Sequence, residues 1–128
     1  MDPNANALNW FEIPATDIER AQRFYEGIFD MEMTPMPGMP DMKMVGFPIN
    51  MDSLKVSGAL VASEYHQPSA EGTLIYLNAN PTIQVVIDRV ENFGGKIVLP
   101  RTEITPEYGY MAFFIDTEGN RVGLHAQA

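Results

Sequence analysis

Cysteine is missing from the chain, so no disulfide can staple it and no thiolate can hold a metal. Basic side chains are scarce: eight Lys and Arg stand against 17 Asp and Glu, a formal net charge of −9. A surface of that sign repels phosphate backbones and anionic lipid, so neither nucleic acid nor a membrane is an expected partner. The same acidity accounts for solubility. No uninterrupted apolar run approaches the roughly 18 residues of a membrane span. The N-terminus, MDPNANALNW, has neither the basic nor the apolar region of a secretory signal. Together with the missing cysteine, this leads to the expectation of a cytoplasmic protein. At 128 residues the chain can bury one hydrophobic core.

What the chain does contain is an echo of itself. Gly46-Phe47-Pro48-Ile49-Asn50-Met51-Asp52 returns 66 residues later as Ala112-Phe113-Phe114-Ile115-Asp116-Thr117-Glu118. Each copy is followed by an apolar run, Val56 to Leu60 and then Arg121 to His125, which pairs Gly58 with Gly123. A spacing of half the chain implies two copies of one supersecondary unit that bury a joint core. In the first copy a strand over 8–15 leads to Thr16-Asp17-Ile18-Glu19, a capping box with Thr16 as N-cap. A helix from about Asp17 to Phe29 follows, with Ile18, Ala21, Phe24, Tyr25 and Ile28 inward and Glu19, Arg20, Arg23 and Glu26 outward. In the second copy a strand over 73–79 precedes Asn80 as N-cap and Pro81 in the first turn. Ile83, Val86, Ile87, Val90 and Phe93 form the inward stripe, ended by Gly94-Gly95. Three strands follow each helix, near 31–34, 42–49 and 56–63, then 96–99, 109–115 and 121–126. The expected fold is α+β: two βαβββ modules, about 8–63 and 73–128, joined by a polar linker over 64–72.

The run Phe11-Glu12-Ile13-Pro14-Ala15-Thr16-Asp17-Ile18-Glu19-Arg20-Ala21 with Phe24-Tyr25, joined to Phe113-Phe114-Ile115-Asp116-Thr117-Glu118-Gly119-Asn120-Arg121, resembles the glyoxalase / bleomycin-resistance / extradiol-dioxygenase group, the vicinal oxygen chelate superfamily. The resemblance spans nearly the whole chain. It implies curved mixed sheets around a cavity, and a homodimer. It also implies a glycine after the first helix where this chain has Asp30, a position aspartate tolerates in a left-handed turn.

The resemblance further implies one divalent cation held by His, Gln or Glu on the first and last strands, with open positions for a substrate's oxygens. Such a site needs about three or four N/O donors. Here the first-module ligand position carries Trp10, the second falls among Thr73, Leu74 and Ile75, and the last-strand glutamate is replaced by Gly123. No metal and no other cofactor is therefore expected.

Strand alternation puts Glu12 on the face of Trp10 and His125 on the face of Gly123. Glu12 and His125 are the candidate catalytic pair, base and acid, in the vacated cavity. Trp10 is a candidate stacking platform, and Gly123 leaves room for an organic ligand. Tyr108 and Tyr110, on an expected loop from Pro100 to Tyr110, are candidate ligand contacts. His66, in the linker, is expected to be solvated. Seven of nine methionines lie between Met31 and Met51, an expected flap over the cavity. Copper is not expected there, for want of cysteine or a nearby histidine. Three functions remain open: a metal-independent binder of a small organic molecule, a lyase, isomerase or dioxygenase relative, and an accessory protein with a filled cavity.

Overall fold

The computed structural model describes all residues except 38 and 39. Module one comprises β1 (Trp10–Pro14), α1 (Ile18–Phe29), β2 (Thr34–Met36), β3 (Lys43–Gly46) and β4 (Ser57–Ala62). Module two comprises β5 (Tyr76–Asn78), α2 (Ile83–Val90) with a 3-10 turn (Glu91–Phe93), β6 (Lys96–Thr105), β7 (Gly109–Ile115) and β8 (Arg121–Ala126). Each module makes a four-stranded mixed sheet, ordered β1-β4-β3-β2 and β5-β8-β7-β6, in which the first strand runs parallel to the last. The fold is α+β, two βαβββ units, as the sequence implies.

One face of each sheet is covered by the helices. Ile18, Ala21, Phe24, Tyr25 and Ile28 of α1, and Ile83, Val86, Ile87 and Val90 of α2, are buried in a single core with Ile13, Leu60, Leu77, Phe114 and Leu124. Phe93 departs from the expected stripe and is 47% exposed. The 3-10 turn rotates it off the face, and its ring settles over Gly27, where any Cβ would collide with it.

Both helix starts lie one or two residues later than the sequence suggests. Asp17, not Thr16, is the N-cap of α1, its carboxylate accepting from Arg20 N–H at 3.1 Å. Thr82, not Asn80, caps α2, with no side-chain bond. At the other end of α1, Asp30 turns left-handed (φ 49°, ψ 56°) and its N–H bonds the Glu26 carbonyl. Glu26, expected on the wet face, accepts Met33 N–H at 2.8 Å and fixes the entry to β2.

The expected loop over 100–110 is mostly strand. β6 runs on to Thr105 as a bulged partner of β7, leaving only a short turn before Gly109. Pro100 and Pro106 read as loop punctuation, but Pro100 sits within a register shift, where a strand tolerates proline. The methionine-rich segment likewise contributes to sheet one rather than serving as a simple flap. Met33 is buried, and Met36 in β2 lays its thioether over Gly46 of β3. Positions 38 and 39 of that segment lie outside the described residues.

Strand register also corrects the internal alignment. Ala15 N–H donates to the Val61 carbonyl at 2.9 Å and Ala79 N–H to the His125 carbonyl at 2.8 Å, so the modules match at an offset of 64 residues. The counterpart of Gly123 is Ala59, not Gly58, and that of Trp10 is Leu74. A shift of one residue moves a side chain to the opposite face, so Gly58 lies on the helix side and Gly123 on the open side.

The modules are joined by the turn Asp116-Thr117-Glu118-Gly119-Asn120. Asp116 accepts the Tyr25 hydroxyl at 2.7 Å, Asn120 Nδ2 at 3.0 Å, and the N–H groups of Glu118 and Asn120 at 2.9 Å each. Asn120 Nδ2 also donates to the Pro14 carbonyl at 2.7 Å. Glu118 Oε1 receives the N–H groups of Thr16 and Asp17 at 2.8 Å each, and Arg20 Nε reaches Oε2 at 2.7 Å. Burial pushes the Tyr25 hydroxyl well above its usual range, and the Asp116 charge adds to that. Burial also raises the Asp116 carboxyl, against the opposing bonds from Asn120 and Tyr25. For Glu118 burial acts upward too, but the bonds from Arg20, Asp17, Thr117 and Thr16 outweigh it and hold the carboxyl below its usual range. The Glu118 bond and charge in turn raise the Arg20 guanidinium.

Candidate functional site

The site is built on the sheet faces turned away from the helices. In module one, alternation brings Trp10, Glu12, Ala59 and Met44 to this face. Trp10 Nε1–H donates to Glu12 Oε2 at 3.3 Å. The other carboxylate oxygen is bonded to His66 Nε2 at 2.8 Å, and His66 Nδ1 lies 2.7 Å from Ser63 Oγ. Tyr65 N–H donates to the same hydroxyl oxygen at 3.1 Å. In the neutral ring these partners fix one tautomer: Ser63 O–H donates to Nδ1, and Nε2–H donates to Glu12. His66 is therefore not solvated as expected; its side chain is 16% exposed and backs Glu12, which is 34% exposed. The two lie 54 residues apart in sequence, and no spacing rule links a linker histidine to a strand carboxylate.

In module two the corresponding face carries Tyr76, Gly123, His125, Met111 and Phe113. The ring of Tyr76 covers Gly123: a Cβ there would come within 2.7 Å of it. The room expected over Gly123 is thus filled from within. Tyr76 also lies 6.0 Å from Phe113, centroid to centroid, and its hydroxyl points at the Met111 sulfur. His125 Nε2–H donates to the Tyr108 carbonyl at 2.6 Å. The structure accordingly pairs Glu12 with His66 and engages His125 with the β6–β7 turn; the two expected partners sit on different sheets. Tyr108 is exposed, while Tyr110 is half-buried with the Arg101 guanidinium 3.6 Å above its ring.

The donor set can be tested against the divalent metal that this fold implies. With the register fixed, the ligand positions are Trp10, Leu74 and Gly123, none of which offers a lone pair suited to such a cation. Among the described residues no three His, Asp or Glu side chains converge. The residues do not fit the group.

Two βαβββ sheets, each with a helix-covered face and an open face, define the class of vicinal oxygen chelate folds. The family model described as Glyoxalase/Bleomycin resistance protein/Dioxygenase superfamily matches residues 7–124, and the chain belongs to that superfamily. A glyoxylase-like domain-containing protein from Didymella fabae is 33% identical over 115 residues, 88% of each chain. A glyoxalase/bleomycin resistance protein from Albidiferax ferrireducens T118 superposes with a TM-score of 0.69 at 14% identity, over 96% of this chain and 100% of its own. The fosfomycin resistance protein from Listeria monocytogenes gives 0.64 at 15% identity, over 97% and 92%. At such identities the likeness of these two structures is one of fold.

Proposed function

We propose that this protein binds a small organic molecule on the open faces of its sheets without the divalent metal of its family, as a cytoplasmic homodimer. The observation that carries the reading is the composition of those faces. Trp10, Met44, Met111 and Phe113 are only half-buried and Tyr76 is 48% exposed, a set of flat and polarizable surfaces in search of a partner. In this reading Trp10 stacks on the ligand and Glu12, oriented by His66, accepts a bond from its polar end. Gly123 with its Tyr76 cover, His125 and Tyr108 form the second wall; Tyr110, opposite Ala126 in the strand register, packs against the core on the helix side and drops out of it. A second chain laid over the faces would complete the enclosure.

The test is a thermal-shift screen of small aromatic compounds, with quenching of Trp10 fluorescence as a second readout. A ligand at a hundred times its dissociation constant adds about 2.7 kcal/mol of stability. Absence of any saturable quenching across the screen would end the binding reading. One zinc, iron, nickel or manganese per chain after purification without chelator would end its metal-free form, and a 14 kDa species in light scattering would end the dimer.

The enzymatic alternative, a lyase, isomerase or dioxygenase relative, has one observation in its favour. The Ser63–His66–Glu12 chain joins an imidazole to a carboxylate at 2.8 Å, the arrangement of a proton acceptor held in place.

A further inference from the structure

The linker between the modules is pinned at two points. His66 fastens it to Glu12 on β1, and three residues on Ser69 fastens it to the start of β8: Ser69 N–H donates to Asn120 Oδ1 at 3.0 Å, and Arg121 N–H to the Ser69 carbonyl at 3.3 Å. The linker thereby borders an open cleft of about 230 Å³ at the module junction, lined by Glu12, Glu71 and Arg121 together with the apolar Pro14, Ile75 and Val122. That volume equals roughly seven or eight waters at about 30 Å³ each, room for a molecule of similar heavy-atom count.

Its charges are only partly spent on the protein. Arg121 and Glu71 form no ion pair among the described residues. Glu12 uses one lone pair of each oxygen on Trp10 and His66 and keeps the others free. Two carboxylate residues, Glu12 and Glu71, and one guanidinium residue, Arg121, thus line the same cleft. We propose that it is a subsite for a short zwitterion of the α-amino-acid class, the ammonium group received by Glu12 and Glu71 and the carboxylate by Arg121. The subsite lies at the module junction, beside the aromatic faces, and shares Glu12 with them.

NMR titration of the full chain with L-alanine, propionate and ethylamine tests this, since the last two each lack one charged group of the first. L-Alanine is expected to shift the backbone amides of residues 69–73 and the Arg121 side-chain N–H saturably. Propionate and ethylamine should bind at least about tenfold more weakly, the loss of one charge-assisted contact. Arg121→Met should bring L-alanine down to the level of ethylamine, and Glu71→Gln should weaken it by about threefold, with spectra elsewhere unchanged. Equal responses to the three probes, shifts confined to other regions, no saturable shift, or indifference to Arg121→Met would each overturn the proposal. Quenching of Trp10 by 1-naphthol, followed in the same samples, reports on the aromatic faces instead. Loss of that signal with alanine binding intact refutes the face-binding reading alone; the reverse pattern refutes the zwitterion site alone.

Discussion

The two modules use the same device on opposite sides. In each, a ring from the first strand lies on a glycine of the last, at a register pair: Phe11 on Gly58 and Tyr76 on Gly123. Phe11 turns toward the helices, where it meets Phe47 at 5.4 Å and joins the margin of the core. Tyr76, one step out of phase, turns to the open face. The result is a polar patch of Trp10, Glu12 and His66 on sheet one and an aromatic patch on sheet two. A duplicated fold thus yields two unlike walls from a one-residue difference in where an aromatic is placed, because side chains in a strand alternate.

The largest effect is expected where the walls are tied together. Asp116→Ala leaves the Tyr25 hydroxyl and the Asn120 amide with an unmet bond in the interior and should cost about 3–5 kcal/mol in urea unfolding. Should it cost under about 1 kcal/mol, the modules do not depend on that turn. The ring–glycine pairs come next. At Gly58 a Cβ would lie 2.4 Å from the Phe11 carbonyl oxygen, so the backbone itself must move, and Gly58→Ala should cost about 2–3 kcal/mol. Gly123→Ala meets chiefly the half-exposed Tyr76 ring, which can swing away, and should cost about 1 kcal/mol. Equal losses would mean that the two sides of the sheets are equally rigid.

Acid separates the two carboxylates of the joining turn. Glu118 is held below its usual range, so its contribution is complete above the unfolded value and is lost as pH falls through the folded one. Asp116 is raised, so its contribution runs the other way, greatest in acid and lost as pH rises through the folded value. Glu118→Gln should therefore lower stability at neutral pH by on the order of 1 kcal/mol, with the gap to wild type closing below the ordinary carboxylate range. A gap constant with pH in denaturation series would assign the loss to shape rather than charge. The smallest change is expected from Tyr76→Ala: less than about 1 kcal/mol, since the ring is half in water, with a gain in dye binding at the uncovered Gly123. No gain would show that the ring closes nothing.

The helices were legible because a 3.6-residue stripe is redundant: five inward residues of α1 agree, and one capping residue misplaced from Thr16 to Asp17 changes little. The strands offered no such redundancy. Matching Gly58 to Gly123 looks right by identity, and only the backbone bonds of Ala15 and Ala79 reveal the slip. The shared face of Trp10 and Glu12 followed from alternation within five residues. Neither His66 nor Tyr76 was anticipated. The first acts through a linker fold that no periodicity encodes, and the second stands on a three-residue strand too short to show its phase.

The turn over Asp116–Asn120 gives a further meaning to the stretch between β4 and β5. Its partners in module one, Tyr25, Pro14, Thr16, Asp17 and Arg20, behave as a tethered ligand of module two. A short tether sets an effective concentration in the millimolar range, against which a free copy at micromolar levels competes at a disadvantage of about a thousandfold. Residues 63–75 therefore decide who pairs with whom. Shortened until they no longer span the junction, they would hand the same bonds, unchanged in kind, to a neighbouring chain.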